Sequence, residues 1–195
     1  SQRVLLYGGQ DHGAPVAKPS TTLWSFAPDG GVFTKEDDQG DAPSAMDRGA
    51  VFTGSPEPGV AWFAGVSADK ASQEQLGSGS LHLYALDLAV LSWSAQEAAS
   101  LEVGASTHLT SLVGGASSEG MDLVYLTVDG ALAAGTFDGE SWVAGGLLAS
   151  GSYVGFVSGA YDPVARVSLV SVRSNQGVTS HMLVDHMTFA AATFE

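Results

Sequence analysis

Residues 36–41 read Glu-Asp-Asp-Gln-Gly-Asp, four carboxylates within six positions. Asp37, Gln39 and Asp41 alternate along the chain as oxygen ligands do in calcium-binding loops. The stretch lacks the bidentate Glu that such a loop carries downstream. A solvated acidic loop is therefore the first reading and a Ca²⁺ site the second; no other cofactor is expected. Asp11 and His12 have the residue types of an acid–base pair, but no nucleophile or third partner follows nearby in sequence. The other histidines are His82, His108, His181 and His186. His181 and His186 are five apart, and on one strand that spacing sends them to opposite faces, away from a shared metal. No G-x-S-x-G, H-E-x-x-H, phosphate-loop or dinucleotide-binding pattern occurs. GGASSEG at 114–120 is glycine-rich but lacks the strand–loop–helix setting that phosphate binding needs.

Composition narrows the partners. The formal charge of −14, from 21 acids against 7 bases, argues against nucleic acid, because phosphate binding needs clustered Lys and Arg. It argues equally against an anionic membrane surface. Solubility through self-repulsion explains the acidity without a partner; a cationic partner is the alternative. There are no cysteines, which removes disulfides, thiolate catalysis and Cys-based zinc sites. No apolar run approaches the roughly 20 residues of a membrane-spanning helix. The opening SQRVLLYGG has no basic region or long apolar stretch of a secretion signal, as expected of a mature chain or a piece of a longer one.

The elements that would hold these residues are strands. At 195 residues, 45% of them hydrophobic, the chain can bury a sizeable core, and 25 glycines spread among short apolar runs imply many tight turns. SADKASQEQLGSGS at 67–80 has the best helical composition but no apolar residues at helical spacing, so a solvated loop with at most one helical turn is expected there. Four segments repeat an apolar strand, a short turn and a second strand: 21–36, 80–97, 130–147 and 179–194. Their first strands open at Leu23, Leu81, Leu132 and His181, and their second strands near Phe33, Trp93, Trp142 and Phe189. Further strands are expected at 4–9, 48–54, 59–66, 107–115, 121–130, 153–162 and 164–172. Each unit of about 50 residues then holds four strands, the first unit three, which is the pattern of β-propeller blades. The expected architecture is all-β, a propeller of about four blades near 1–47, 48–104, 105–150 and 151–195.

Within that pattern, DAPSAMDRGAVFTGSPEPGVAWFAGV followed by LHLYALDLAVLSW resembles a kelch repeat. Pro43, Arg48, Ala64-Gly65, Tyr84 and Trp93 stand at the places of its Pro-rich approach, Arg, glycine pair, Tyr and Trp. Gly8-Gly9, Trp24 and Phe33 do so in the first unit. The resemblance is carried by residues 1–95; beyond about 105 the propeller reading rests on spacing, and Gly114-Gly115 ends a first strand rather than a second. The resemblance implies that such a glycine pair closes the second strand of a blade. Kelch propellers usually have five to seven blades. Four units therefore leave a small ring, a fragment, or a half completed by a second copy or another chain. The C-terminal MTFAAATFE is expected to help close the first unit, whose opening strand is missing.

Long segments fall between strands two and three of a unit or between units, on one face of such a ring. They are 10–20, 36–46 and 67–80, and they carry the candidate ligand-binding residues Asp11, His12, Lys18, Asp37, Asp38, Asp41, Asp69 and Lys70. Trp24, Trp62, Trp93 and Trp142 sit at repeating places, as expected of packing residues before sugar platforms. The first functional expectation is a non-catalytic module presenting loops to a protein or glycan. A hydrolase using Asp, Glu and His is the alternative, and a structural surface or secreted protein the third.

Overall fold

The computed structural model of the protein describes residues 4–8, 10–11, 18–43, 50–69, 76–106 and 109–194. Among them there is no helix. Eighteen strands follow in order. The first five are β1 (Val4–Tyr7), β2 (Gln10–Asp11), β3 (Lys18–Pro19), β4 (Leu23–Ala27) and β5 (Val32–Lys35). The next five are β6 (Gln39–Gly40), β7 (Ala50–Gly54), β8 (Val60–Asp69), β9 (Gly77–Asp87) and β10 (Ser92–Ala105). Then come β11 (Leu112–Ser117), β12 (Gly120–Leu126), β13 (Leu132–Phe137) and β14 (Trp142–Ala149). The last are β15 (Tyr153–Asp162), β16 (Val167–Ser174), β17 (Thr179–Asp185) and β18 (Ala190–Phe194).

They form four consecutive sheets: β1-β4-β5, then β6-β10-β9-β8-β7, then β11-β12-β13-β14, then β15-β16-β17-β18; β2 and β3 make a separate small ribbon. All pairings are antiparallel except that of β6 with β10, where the stretch leaving the first sheet docks alongside Ser92 and Trp93 of the second. The innermost strands β7, β11 and β15 lie side by side in turn. This is a propeller-like arrangement, with sheets stacked face to face around a common edge.

The hairpin turns explain why the sheets are regular. Asp87, Asp162 and Asp185 each end a strand and accept bonds from the N–H groups two and three residues on, at 2.8–3.4 Å. A carboxylate at that place holds the tight turn closed. The fourth turn residue then adopts positive φ at Leu91, Arg166 and Phe189, all near +50°. The first sheet has no Asp there and uses Gly31 instead, at φ 61°.

Three hydrophobic clusters bind the sheets in sequence. Leu23, Phe63 and Trp93 join the first to the second. Trp62, Leu81, Leu123 and Phe137 join the second to the third. Val124, Leu132, Val170 and Val184 join the third to the fourth. No cluster of the described residues joins the fourth sheet to the first. The third sheet is covered on both faces, and every residue of β12 is buried.

Several expectations need correcting. The 67–80 segment is shorter as a loop than its composition implies: Ser67, Ala68 and Asp69 pair with Ser80, Gly79 and Ser78, because polar side chains do not prevent backbone pairing. The segment 70–75 lies outside the described residues. Gly114-Gly115 does not end its strand but sits inside β11, where a Cβ on Gly114 would meet the Asp122 carbonyl oxygen at 2.0 Å and one on Gly115 the Tyr161 ring at 2.6 Å. Gly65 likewise lies within β8, since the strand runs on to Asp69. The C-terminal strand does not close the first sheet; β18 pairs with β17 from Asp185↔Ala190 to His181↔Phe194. Trp24 is not a packing residue like Trp62 and Trp93 but is more than a third exposed.

Two substitutions test the close approach at β11. Gly114→Ala forces the β11 and β12 backbones apart and is expected to cost about 1–3 kcal/mol in chemical denaturation. Gly54→Ala, with open space at its Cβ, is expected to change stability by less than about 0.5 kcal/mol.

Candidate functional site

The acidic stretch at 36–41 is drawn to the outer edge of the second sheet. Asp38 accepts a 2.7 Å bond from Trp93 Nε1, and the Asp41 N–H donates to the Trp93 carbonyl. Glu36 accepts from the Ser25 hydroxyl. Asp37, Gln39 and Asp41 are exposed. Tyr7, beside this edge, donates to the Pro43 carbonyl at 2.6 Å; burial, and then Asp38 and Tyr84, push its phenol up to about 12. Among the described residues no three His, Asp or Glu side chains converge as a metal site. Asp11 and Lys18 are backbone partners in the β2–β3 ribbon, and Asp69 pairs with Ser78; the side chains of these three lie outside the description. His12 and Lys70 lie outside it altogether. The structure thus places Asp37, Asp38 and Asp41 together and does not bring them to the inner strands, which occupy the opposite edge of the second sheet.

A different polar cluster lies between the third and fourth sheets. Asp122 on β12 is completely buried. Arg166, from the β15–β16 turn, grips it with Nε at 2.9 Å and Nη2 at 2.8 Å. Thr136 Oγ1 donates to it at 2.6 Å and the Tyr161 hydroxyl at 2.7 Å. Burial raises the Asp122 carboxyl, but the bonds from Arg166, Thr136 and Tyr161 outweigh it and hold the carboxyl below the ordinary value. Tyr161 is pushed up by burial and by its carboxylate partner. Its ring meets His186 edge-on at 5.8 Å. His186 is buried and shares a 2.8 Å bond between Nε2 and Ser168 Oγ. Burial lowers its pKa below 6.5. His181, by contrast, is exposed and bonds Ser171.

Sequence reading passed over this cluster because its members lie 14 to 44 positions apart. The available signal was Asp122 itself, a lone carboxylate in the apolar run Met121–Leu126. An acid in such a strand is costly unless a cation is brought to it. Arg166, Thr136 and Tyr161 between them supply both Asp122 oxygens, so the arrangement joins two sheets; Tyr161 is only half-buried, and His186 Nδ1 is buried without a partner.

Open hollows lie elsewhere. One of about 320 Å³ sits at the end of the sheets where the β12–β13 and β16–β17 loops emerge. In an up-and-down sheet those connections share one end. Its wall is Leu76, Val128, Asp129, Gly130, Ser152, Tyr153, Val154 and Asn175. Backbone bonds fix it: Tyr153 N–H donates to the Gly130 carbonyl and Asn175 N–H to the Ser152 carbonyl, both at 2.9 Å. Gly130 needs its positive φ of 82°, and a Cβ there would meet the Tyr153 carbonyl oxygen at 2.7 Å. A second hollow, about 360 Å³, follows the inner strands past Phe52, Val113, Ser158 and Tyr161.

No protein-family model and no curated protein sequence matches the chain. Among solved structures, it is similar to TolB from Acinetobacter baumannii, at 8% identity and a TM-score of 0.54 over 97% of this chain and 43% of that one. The chain thus spans less than half the length of that protein. The likeness shows a propeller-like fold.

The buried pair can be tested by a double-mutant cycle. Asp122→Asn strands the Arg166 charge and is expected to cost about 3 kcal/mol or more; combined with Arg166→Met, the loss is expected to fall well short of the sum of the two single losses. The histidine is tested by pH. With its folded pKa below 6.5, His186 contributes stability that is present above about pH 6.5 and is lost as pH falls through the folded value, because the unfolded chain takes up the proton first. Denaturation midpoints are expected to fall over that window, and His186→Gln to flatten the slope.

Proposed function

We propose that the chain is a non-catalytic interaction module that binds a protein or glycan through the loop end of its propeller-like fold. The observation that carries this is the loop-end hollow. It is preformed, because backbone bonds tie three separate connections together. Its wall mixes an exposed apolar side chain, Val128, with an aromatic ring, an acid and an amide, at Tyr153, Asp129 and Asn175. A few fixed polar groups within an apolar surround suit recognition. Asp122 and Arg166 are instead spent on each other between the sheets, which favours binding over hydrolysis.

Each sheet corresponds to one blade, with bounds near 1–47, 48–104, 105–150 and 151–195, except that β6 of the first unit docks on the second sheet. The first two are kelch-like: Trp93 is buried between them, and Tyr84 packs on Phe63 at 6.2 Å.

The test is to screen the chain on glycan and peptide arrays, then measure its ligand against two variants. Val128→Arg fills the hollow and is expected to weaken binding at least about tenfold, roughly 1.4 kcal/mol. Val90→Arg, on the β9–β10 turn at the other end, is expected to leave it unchanged. Equal affinities for both variants would remove the loop-end site. Turnover of an ester or glycoside substrate that Asp129→Asn abolishes would replace the binding module with a hydrolase.

A further inference from the structure

Each end of the stack leaves one sheet face bare. On the first sheet, Val4, Phe26 and Phe33 form one cross-strand row and Leu6, Trp24 and Lys35 the next on the same face. Val4, Leu6 and Phe33 are about half exposed. The opposite face, with Leu5, Tyr7 and Leu23, is the one that packs on the second sheet. On the fourth sheet a row crosses all four strands, Ala160–Leu169–Leu183–Ala192, and the row beside it ends in His181 and Phe194. Leu169, Leu183 and Phe194 are 44–45% exposed. The opposite face, with Val170, Met182 and Val184, packs on the third sheet.

The two bare faces are not alike. In each internal contact one sheet's forward face meets the next sheet's backward face. The fourth sheet exposes a forward face and the first sheet a backward one. They are the two halves of the contact that the chain already makes three times, and both occur on the same molecule. Sheets of this kind are stable when both faces are covered, and contiguous exposed apolar side chains mark interaction surfaces.

We propose that two copies of this chain associate head to tail, the fourth sheet of each covering the first sheet of the other. The two contacts, fourth sheet on first and first on fourth, are related by a twofold axis and together close a ring of eight sheets. The inner-strand hollow beside Phe52 and Tyr161 then opens onto an enclosed channel.

Light scattering and sedimentation of the chain, at up to about 100 µM so that micromolar association registers, are expected to give twice the 19.9 kDa of one copy. Leu183→Asp and Phe33→Asp alter one bare face each, at side chains exposed within a single copy, and each is expected to give monomer. Mixing the two variants recovers a weaker dimer, because the intact first sheet of one meets the intact fourth sheet of the other while the second contact carries both acids and stays open. Val90→Asp stays dimeric. Monomeric wild type overturns the proposal, as it would if further segments of a longer chain cover both faces. Loss of dimer in only one of the two variants also overturns it, since one bare face would then be packing on its own copy. The loop-end hollow is absent from these contacts, so ligand binding through Val128 survives or fails independently.

Discussion

A sheet packed between two others has no wet side, and in this protein that constraint falls hardest on β12. All seven of its residues are buried, yet one of them is Asp122. A carboxylate there survives only if several donors converge on it. They come from β13, from β15 and from the turn after β15. The fourth sheet is therefore located by a polar requirement as well as by apolar packing. Arg166 reaches the acid from a positive-φ position at the end of its turn, a conformation that costs about 1 kcal/mol or more for a residue with a Cβ. The carboxylate at Asp162 that closes this turn thus also holds the cation which Asp122 needs.

The same constraint divides the polar residues into two populations. Between the sheets, Asp122 accepts from Thr136, Tyr161 and Arg166, and Ser168 bonds His186, whose Nδ1 is buried without a partner. At the loop end, Asp129 and Asn175 line a hollow held by main-chain bonds. Chemistry would require these to coincide, a perturbed group facing open space. Tyr161, pushed up by burial and by its carboxylate partner, belongs to the first population yet also borders the inner-strand hollow.

The sequence carried the strands and their spacing because the signals were local. Apolar runs bounded by Gly, Asp and Pro are read within a window of ten residues, and Trp62 and Trp93 pack where repeated aromatics are expected. Other features depended on distant partners. Gly114-Gly115 looks like a strand end, but only the approach of Asp122 and Tyr161 explains its place inside β11. The segment 67–80 looks like a loop, yet Ser67 to Asp69 are recruited by the backbone of β9. The acids at 36–41 read as a ligand set, whereas Asp38 serves the indole of Trp93, 55 positions away. Residue type and spacing cannot encode such pairings until the sheets are assembled.

The central claim is that the sheets fan out from a common inner edge, and two distances decide it. The chain has no cysteine, so spin labels can be placed cleanly in pairs linking the second and fourth sheets, diluted with unlabelled chain. Glu57 and Val164 mark the turns of the inner strands, and Val90 and Met187 those of the outer strands; all four are exposed. Double electron–electron resonance should give a clearly shorter separation for the inner pair than for the outer pair. Equal separations would mean a flat layered stack and would contradict the propeller-like account.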